Sequence, residues 1–326
     1  MKILIKFQLK NLNINMVNNI KFQRDEFIKE IYKSAKKNKK IYFLSADFGA
    51  PALDDFRFKL KQQFLHLGIC EQNMVDFACG MALEKNKVYI YAMAPFLVLR
   101  CLEQHKTTTC LMDANVCSII TGIGLSYANS GPTHYSTEDF ACLRSLPNCS
   151  IYTASDPATS QLIAKHSLKI NSPTFVRLDR KSGKNFKKKT TLEDVQKGYR
   201  FIEKNNSSKT LVINQGTIIE RSLHVYNELK LSERKNIDIL DLIRAKPFPK
   251  SLKNIFSRYN KIITIDEQTS QGSLGSLIKE NCVNVKKIIS LSLSDTFIFE
   301  NIGREKLLDK YGLSKNIIKN HLKRKR

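Results

Sequence analysis

The sequence predicts an α/β protein built on parallel sheets with helices on both faces, and two observations carry that prediction. Short apolar runs rich in strand formers alternate with segments of helical period along most of the chain, the pattern of strands buried on both faces between crossover helices. The alternation is interrupted once, at 180–194, by a Lys-, Gly- and Thr-rich run without apolar periodicity, which reads as a linker. The expected domains are therefore 20–182 and 193–326, joined by 183–192, and a chain of 326 residues is long enough to bury a core in each.

Residues 1–19 are expected to be a poorly ordered extension. Met1-Lys2-Ile3-Leu4-Ile5-Lys6 has the flavour of a signal peptide, but Lys6 and Lys10 break its apolar region and no small-residue cleavage site follows; Met16 is an alternative start. A helix is expected over 24–37, where Phe27, Ile28, Ile31, Tyr32 and Ala35 make one stripe. Strands are expected at 41–46, 88–93, 116–121, 150–154 and 174–178, then at 210–214, 237–242, 261–265 and 287–293. Asp156 followed by Pro157 marks a helix start, a capping acid before a residue whose missing N–H costs nothing there. After Glu71, the residues Met74, Phe77, Ala78, Met81 and Ala82 recur at spacings of three and four, which predicts a helix with one apolar face. A carboxylate leading into a buried helix is costly unless something pairs with it; the plain alternative is a solvated first-turn acid favoured by the helix dipole.

Composition bounds the function. Hydrophobic residues make up 42% and charged residues 26%, ordinary for a globular protein, and no apolar run approaches the length of a membrane span. Eight cysteines form no C-x-x-C pair and accompany no His-rich spacing; Cys79, Cys101, Cys117 and Cys142 sit in apolar segments. They read as buried reduced thiols in a cytoplasmic protein, with no metal site of its own. The formal net charge is +24, spread along the chain with concentrations at 36–40, 187–189 and 323–326, and no nucleic-acid motif goes with it. Phosphorylated substrates or an acidic partner subunit are the expected beneficiaries, ahead of nucleic acid.

Two segments carry the functional signal: His66-Leu67-Gly68-Ile69-Cys70-Glu71-Gln72-Asn73-Met74, and Gly131-Pro132-Thr133-His134-Tyr135-Ser136-Thr137-Glu138-Asp139 running on to Leu143-Arg144-Ser145-Leu146-Pro147-Asn148. Together they resemble the pyrimidine-binding half of transketolase, the family that uses thiamine diphosphate. The likeness extends over almost the whole chain after residue 20. Arg24-Asp25-Glu26-Phe27 resembles the Arg-led helix opening the family's pyrimidine domain, and Ser45-Ala46-Asp47-Phe48 resembles its Ser-Ala-Asp-Leu strand end. Phe96-Leu97-Val98-Leu99-Arg100 lies where the family stacks aromatics on the cofactor, and Val176-Arg177-Leu178-Asp179-Arg180 resembles a strand ending in a phosphate-binding arginine. In the second domain, Ile265-Asp266-Glu267-Gln268 with Gly272-Ser273-Leu274-Gly275-Ser276, and the tail Leu307 to Leu313, are similar to family patterns.

A complete transketolase begins with a domain marked by Gly-Asp-Gly that grips the diphosphate through Mg²⁺, and this chain contains no Gly-Asp-Gly. The resemblance thus implies the C-terminal half of a split transketolase: a thiamine-diphosphate-binding pyrimidine domain followed by a transketolase C-terminal domain. A separate N-terminal subunit would carry the diphosphate and Mg²⁺ ligands, in a dimer or a two-plus-two heterotetramer. The implied activity is transfer of a two-carbon ketol unit between sugar phosphates.

The resemblance also implies roles for individual residues. Glu71 would hydrogen-bond the aminopyrimidine ring and activate the cofactor. Phe96, Asp47 and Arg100 would belong to the cofactor site, with plain core as the alternative for Phe96. His134 would approach the substrate's oxygens, and Arg24 and Arg180 would hold its phosphate, each arginine having a surface ion pair as its alternative. His66 reads as structural. Two departures bear on the substrate: the family's acid before Gly-Pro-Thr-His is Ser130 here, and an upstream family histidine is replaced near Gly122. Competing readings are the small subunit of a 2-oxoacid or acetoin dehydrogenase, and a non-catalytic relative that keeps the fold.

Overall fold

The first domain is organised by strands that alternate their side chains between two buried faces. The computed structural model describes residues 21–47, 49–282 and 285–323; the expected extension over 1–19 and the alternative start at Met16 lie outside them. After a two-residue strand β1 (Lys21–Phe22) and helix α1 (Gln23–Ala35) come β2 (Ile41–Ala46), β3 (Phe64–Gly68), helix α2 (Glu71–Leu83), β4 (Lys87–Met93), the short helix α3 (Ala94–Val98) and β5 (Val116–Thr121). Then follow α4 (Asp139–Ser145), β6 (Ser150–Thr153), α5 (Pro157–Ser167), β7 (Thr174–Leu178) and β8 (Ser182–Gly183). Phe43, Tyr89, Ile119 and Val176 pack on one face with Phe27 and Ile31 of α1, while their neighbours Leu44, Ile90, Ile120 and Phe175 pack on the other. This period of two explains why the strands read as continuous apolar runs. Full burial of a side chain such as Phe27 stabilises by about 1.5–3 kcal/mol.

The second domain adds α6 (Leu192–Lys197), β9 (Tyr199–Glu203), β10 (Thr210–Asn214), α7 (Ile219–Asn227), β11 (Ile237–Leu242), β12 (Arg244–Lys246), α8 (Lys250–Phe256), β13 (Lys261–Thr269), α9 (Leu274–Asn281), β14 (Lys287–Leu293), α10 (Arg304–Lys310) and α11 (Lys315–Lys323). Its five strands run in the order β14-β13-β10-β11-β9, and the seven of the first sheet in the order β12-β6-β7-β5-β4-β2-β3. Both sheets are mixed rather than wholly parallel, because β9 pairs antiparallel with β11, and β12 pairs antiparallel with β6. Through β12 the second half of the chain thus completes the edge of the first sheet. Leu211, Ile213, Leu240 and Ile262 of the second sheet share one apolar cluster with Leu44, Ile90 and Phe140 of the first domain.

The structure adds to and corrects several expectations. Strands β1, β3, β8, β9 and β12 are additions to the expected set: β3 is apolar at Phe64, Leu65 and Leu67 but interrupted by His66, and the others are very short or half polar. The run around 183–192 is tied down by β8, which pairs with β1, and by Thr191, which caps α6 in a reciprocal hydrogen-bonded box with Asp194. Asp156 does cap α5, accepting from the Thr159 N–H at 2.7 Å. In α2 the buried stripe is Met74, Val75, Ala78, Cys79 and Ala82; Phe77 is 43% exposed and Met81 only partly buried. Cys142 is likewise only partly buried, while Cys79, Cys101 and Cys117 are buried.

Candidate active site

Most of the candidate residues lie just beyond the carboxyl end of a strand in the first sheet. Asp47 follows β2, Glu71 follows β3, Phe96 and Arg100 follow β4, Gly122 and His134 follow β5, and Arg180 follows β7. That edge is where open α/β sheets build ligand crevices. Arg24 arrives differently, in the first turn of α1, which Gln23 fixes by donating to the Ala154 carbonyl at 3.2 Å and accepting from the Asp179 N–H at 2.9 Å.

Glu71 is the first residue of α2 and is 5% exposed. Its Oε2 accepts a hydrogen bond from Nη1 of Arg100 at 2.6 Å, so the buried charge is met by an opposite charge as well as by the helix N-terminus. The same guanidinium lies over the Phe96 ring, 4.6 Å from its centroid. Pro95 sits in the first turn of α3, immediately before Phe96. His134 then meets Phe96 edge-on, with ring centroids 5.4 Å apart at 76°. The loop carrying it turns at Gly131, whose φ of +79° suits a residue without Cβ, and His134 Nδ1 lies 2.9 Å from the Thr133 hydroxyl.

Tyr127 completes the row and carried no signal in the sequence. Its ring centroid is 6.5 Å from that of His134, and the Arg180 guanidinium lies over the ring, 4.7 Å from its centroid. A Cβ placed on Gly122 would fall 2.0 Å from Cε2 of this tyrosine, and Gly122 itself has φ +90°. The Tyr127 ring thus occupies the space next to the position where a side chain is missing. Burial pushes the Tyr127 phenol up to about 12, against the opposing pull of Arg180 and Arg24. Arg24 pairs with Asp25 at 2.7 Å and also reaches Tyr91. Asp47 stands apart from the row: it is exposed, and its Oδ1 lies 3.8 Å from Nε2 of His66.

The loop that bears Tyr127, Ser130 and His134 is clamped from the second domain. Gly124 and Ser136 exchange backbone hydrogen bonds at its base. Gln268 Nε2 donates to the Ser136 carbonyl at 3.0 Å and to Asp139 at 2.9 Å, while its Oε1 accepts from the Phe140 N–H at 3.1 Å. Glu267 accepts from the Leu125 N–H at 3.2 Å and from Arg304 at 2.8 and 3.0 Å. Arg304 also holds Asp179, beside Arg180, at 2.7 and 3.1 Å. Arg177, missed in the sequence, points back from β7 and binds Asp139 through two nitrogens at 2.6 and 3.0 Å. The 265–268 motif is therefore a brace for the loop. Only the loop's spacing to a second-domain arginine would have signalled it, and Arg304 lies in no motif.

The family described as the transketolase pyrimidine binding domain matches residues 24–185, and the transketolase C-terminal domain family matches 199–318. The chain belongs to the transketolase family. It is similar to one subunit of the apulose-4-phosphate transketolase of Phocaeicola vulgatus, at 28% identity over 92% of this chain and 96% of that protein. It is 29% identical to the 1-deoxy-D-xylulose-5-phosphate synthase of Clostridium perfringens strain 13 over 91% of this chain, and spans about half of that longer protein, 48%. Among solved structures, a split-gene transketolase described as an inactive beta4 tetramer superposes with a TM-score of 0.81 at 22% identity, covering 92% of this chain and 97% of that one. Transketolase from Campylobacter jejuni gives a TM-score of 0.77 at 17% identity, with 93% of this chain matched to 46% of the longer one. At these identities the structural matches show the transketolase fold. No helix among the described residues is long and apolar enough to cross a membrane.

Proposed function

We propose that this chain is the C-terminal subunit of a two-subunit, thiamine-diphosphate-dependent transketolase that moves a two-carbon ketol unit between sugar phosphates in the cytoplasm. The observation that carries the reading is the unbroken row Glu71–Arg100–Phe96–His134–Tyr127–Arg180, which joins a buried acid, an aromatic face, an imidazole and a terminal guanidinium along one sheet edge. The match of this chain to nearly the whole length of a relative that is itself one subunit of a transketolase supports the split arrangement.

These side chains fit an aminopyrimidine. Glu71 offers an acceptor at the head of a helix, and Phe96 supplies an apolar face beside it. Bound here, thiamine diphosphate would supply carbanion chemistry toward a ketose carbonyl. Glu71 would hydrogen-bond the pyrimidine ring nitrogen and share its proton: Arg100 fixes Oε2, which leaves Oε1 as the atom assigned to that contact. Arg100 and Phe96 orient that acid and exclude water around it, and Asp47 lines the outer rim by way of His66. His134 donates to or accepts from the substrate's oxygens, and Arg180, with Arg24 behind Tyr127, receives the phosphate end. The partner subunit supplies the Mg²⁺ and diphosphate ligands, since no Gly-Asp-Gly occurs here. Two of each chain assemble into the active form. Ser130 and Gly122 make the wall that reads the sugar hydroxyls different from the family's usual one, so the donor and acceptor are set by this wall.

The test is co-purification with a subunit carrying Gly-Asp-Gly, followed by cofactor binding and ketol-transfer assays with ketose phosphates and, in parallel, 2-oxoacids. Glu71→Gln should lower turnover by roughly 10²–10⁴ while the complex still assembles. Near-normal turnover in that variant overturns the assignment, and activity confined to 2-oxoacids points to the dehydrogenase-type subunit.

A further inference from the structure

The second sheet carries a concentration of positive charge at the end of its strands away from the candidate active site. Strands β10, β13 and β14 begin in register, with Thr210 opposite Lys261 and Lys261 opposite Lys287. Partners on adjacent strands are roughly 4.8 Å apart across the sheet, so the Lys261 and Lys287 side chains leave the same face of it as neighbours. Lys209 precedes Thr210, Lys286 precedes Lys287, and Lys323 comes in from the end of α11. These five lysines surround one cavity of about 770 Å³ that also has Asn236 and Asn260 on its walls. Its single carboxylate, Glu233, is 4.0 Å from Lys323 and offsets one charge.

Like charges directly opposite on neighbouring strands are destabilising, and an anion seated between them would relieve that cost. Burial, and then Lys287, hold Lys261 below its ordinary range. Its Nζ donates to the His321 carbonyl at 3.0 Å, which fixes the group at the cavity wall. The cavity falls within the size range of small-molecule pockets, and its charges converge on one hollow rather than run along a stripe. Lysine is suited to phosphate as a point charge.

We propose that this cavity is a binding site for a small polyphosphate anion, separate from the candidate active site and sharing no residue with it. The site needs no partner subunit, so its test is independent of the transketolase reading. The full chain alone is titrated with inorganic tripolyphosphate by calorimetry at low and at physiological salt. Expected is one saturable site per chain whose affinity falls with salt and weakens by about tenfold or more in the Lys209→Gln, Lys287→Gln double variant. Both lysines are exposed, so the variant should keep the fold, and its circular dichroism verifies that. Unchanged binding in the double variant overturns the proposal. So does binding that persists there but is lost in Arg180→Gln, which moves the anion to the other site. Tighter binding of a duplex oligonucleotide than of tripolyphosphate also overturns it, in favour of a nucleic-acid surface.

Discussion

Tyr127 packs against Gly122 so closely that a Cβ on the glycine would lie 2.0 Å from the tyrosine's Cε2. The tyrosine ring also contacts both Arg180 and His134. Gly122→Ala must therefore push the ring outward, and the left-handed backbone at φ +90° adds strain. The expected result is a loss of about 1–3 kcal/mol in denaturant unfolding, together with a rise in KM for phosphorylated substrates in the reconstituted complex. Tyr127→Leu in the same background should recover part of the stability by making room. If the double variant is no better than Gly122→Ala, the packing account is wrong.

Arg304 links the two domains by gripping Asp179 and Glu267, and its removal strands two buried carboxylates. Losing one partner of such a network costs about 3–5 kcal/mol, so Arg304→Gln should be strongly destabilised at neutral pH. Burial alone would raise the Asp179 carboxyl, but Arg304, Thr217 and the Lys181 N–H outweigh it and hold the pKa down to about 2. A depressed carboxyl contributes stability above its ordinary value of 3.8 and loses it as pH falls toward about 2. The gap between wild type and Arg304→Gln should thus be widest near neutrality and shrink below pH about 4. Urea melts across that range measure it, and a gap independent of pH would count against the ion network as its source.

The strands of both sheets were legible because their two-faced burial leaves unbroken apolar runs, as in 116–121 and 237–242, which match β5 and β11 in full. Edge strands were not: Arg244–Lys246 and Tyr199–Glu203 are half polar because one side of each meets solvent or another chain segment. At the candidate site, motif residues such as Glu71, Phe96 and His134 were readable from local pattern and family likeness. Arg100 was readable with them, but its pairing with Glu71 across 29 residues was not, nor was Arg304, which meets Asp179 across 125. Tyr127 was invisible for another reason. Its place is defined by the absence of a side chain at Gly122, and an absence leaves no periodic signal.

Asp266 gives the clearest pH signature outside the row of candidate residues. Its Oδ2 accepts the Leu274 N–H at 2.9 Å at the head of α9, while Oδ1 is buried with no hydrogen-bond partner among the described residues. Burial raises its pKa to about 7; the Leu274 N–H and Arg177 oppose the rise, and Glu267 and Asp139 add to it. Between the ordinary 3.8 and about 7 the folded chain keeps a proton here that the unfolded chain has released. More protons bound in the folded state mean that stability from this group falls as pH rises through that window, and is lowest above it. Asp266→Asn keeps an acceptor for Leu274 and never ionises. It should match wild type below pH about 4 and exceed it near pH 8 by on the order of 4 kcal/mol, read from urea unfolding at both pH values. A variant that is equally or less stable than wild type at the higher pH would show that Asp266 stays ionised in the folded chain and that Arg177 neutralises it.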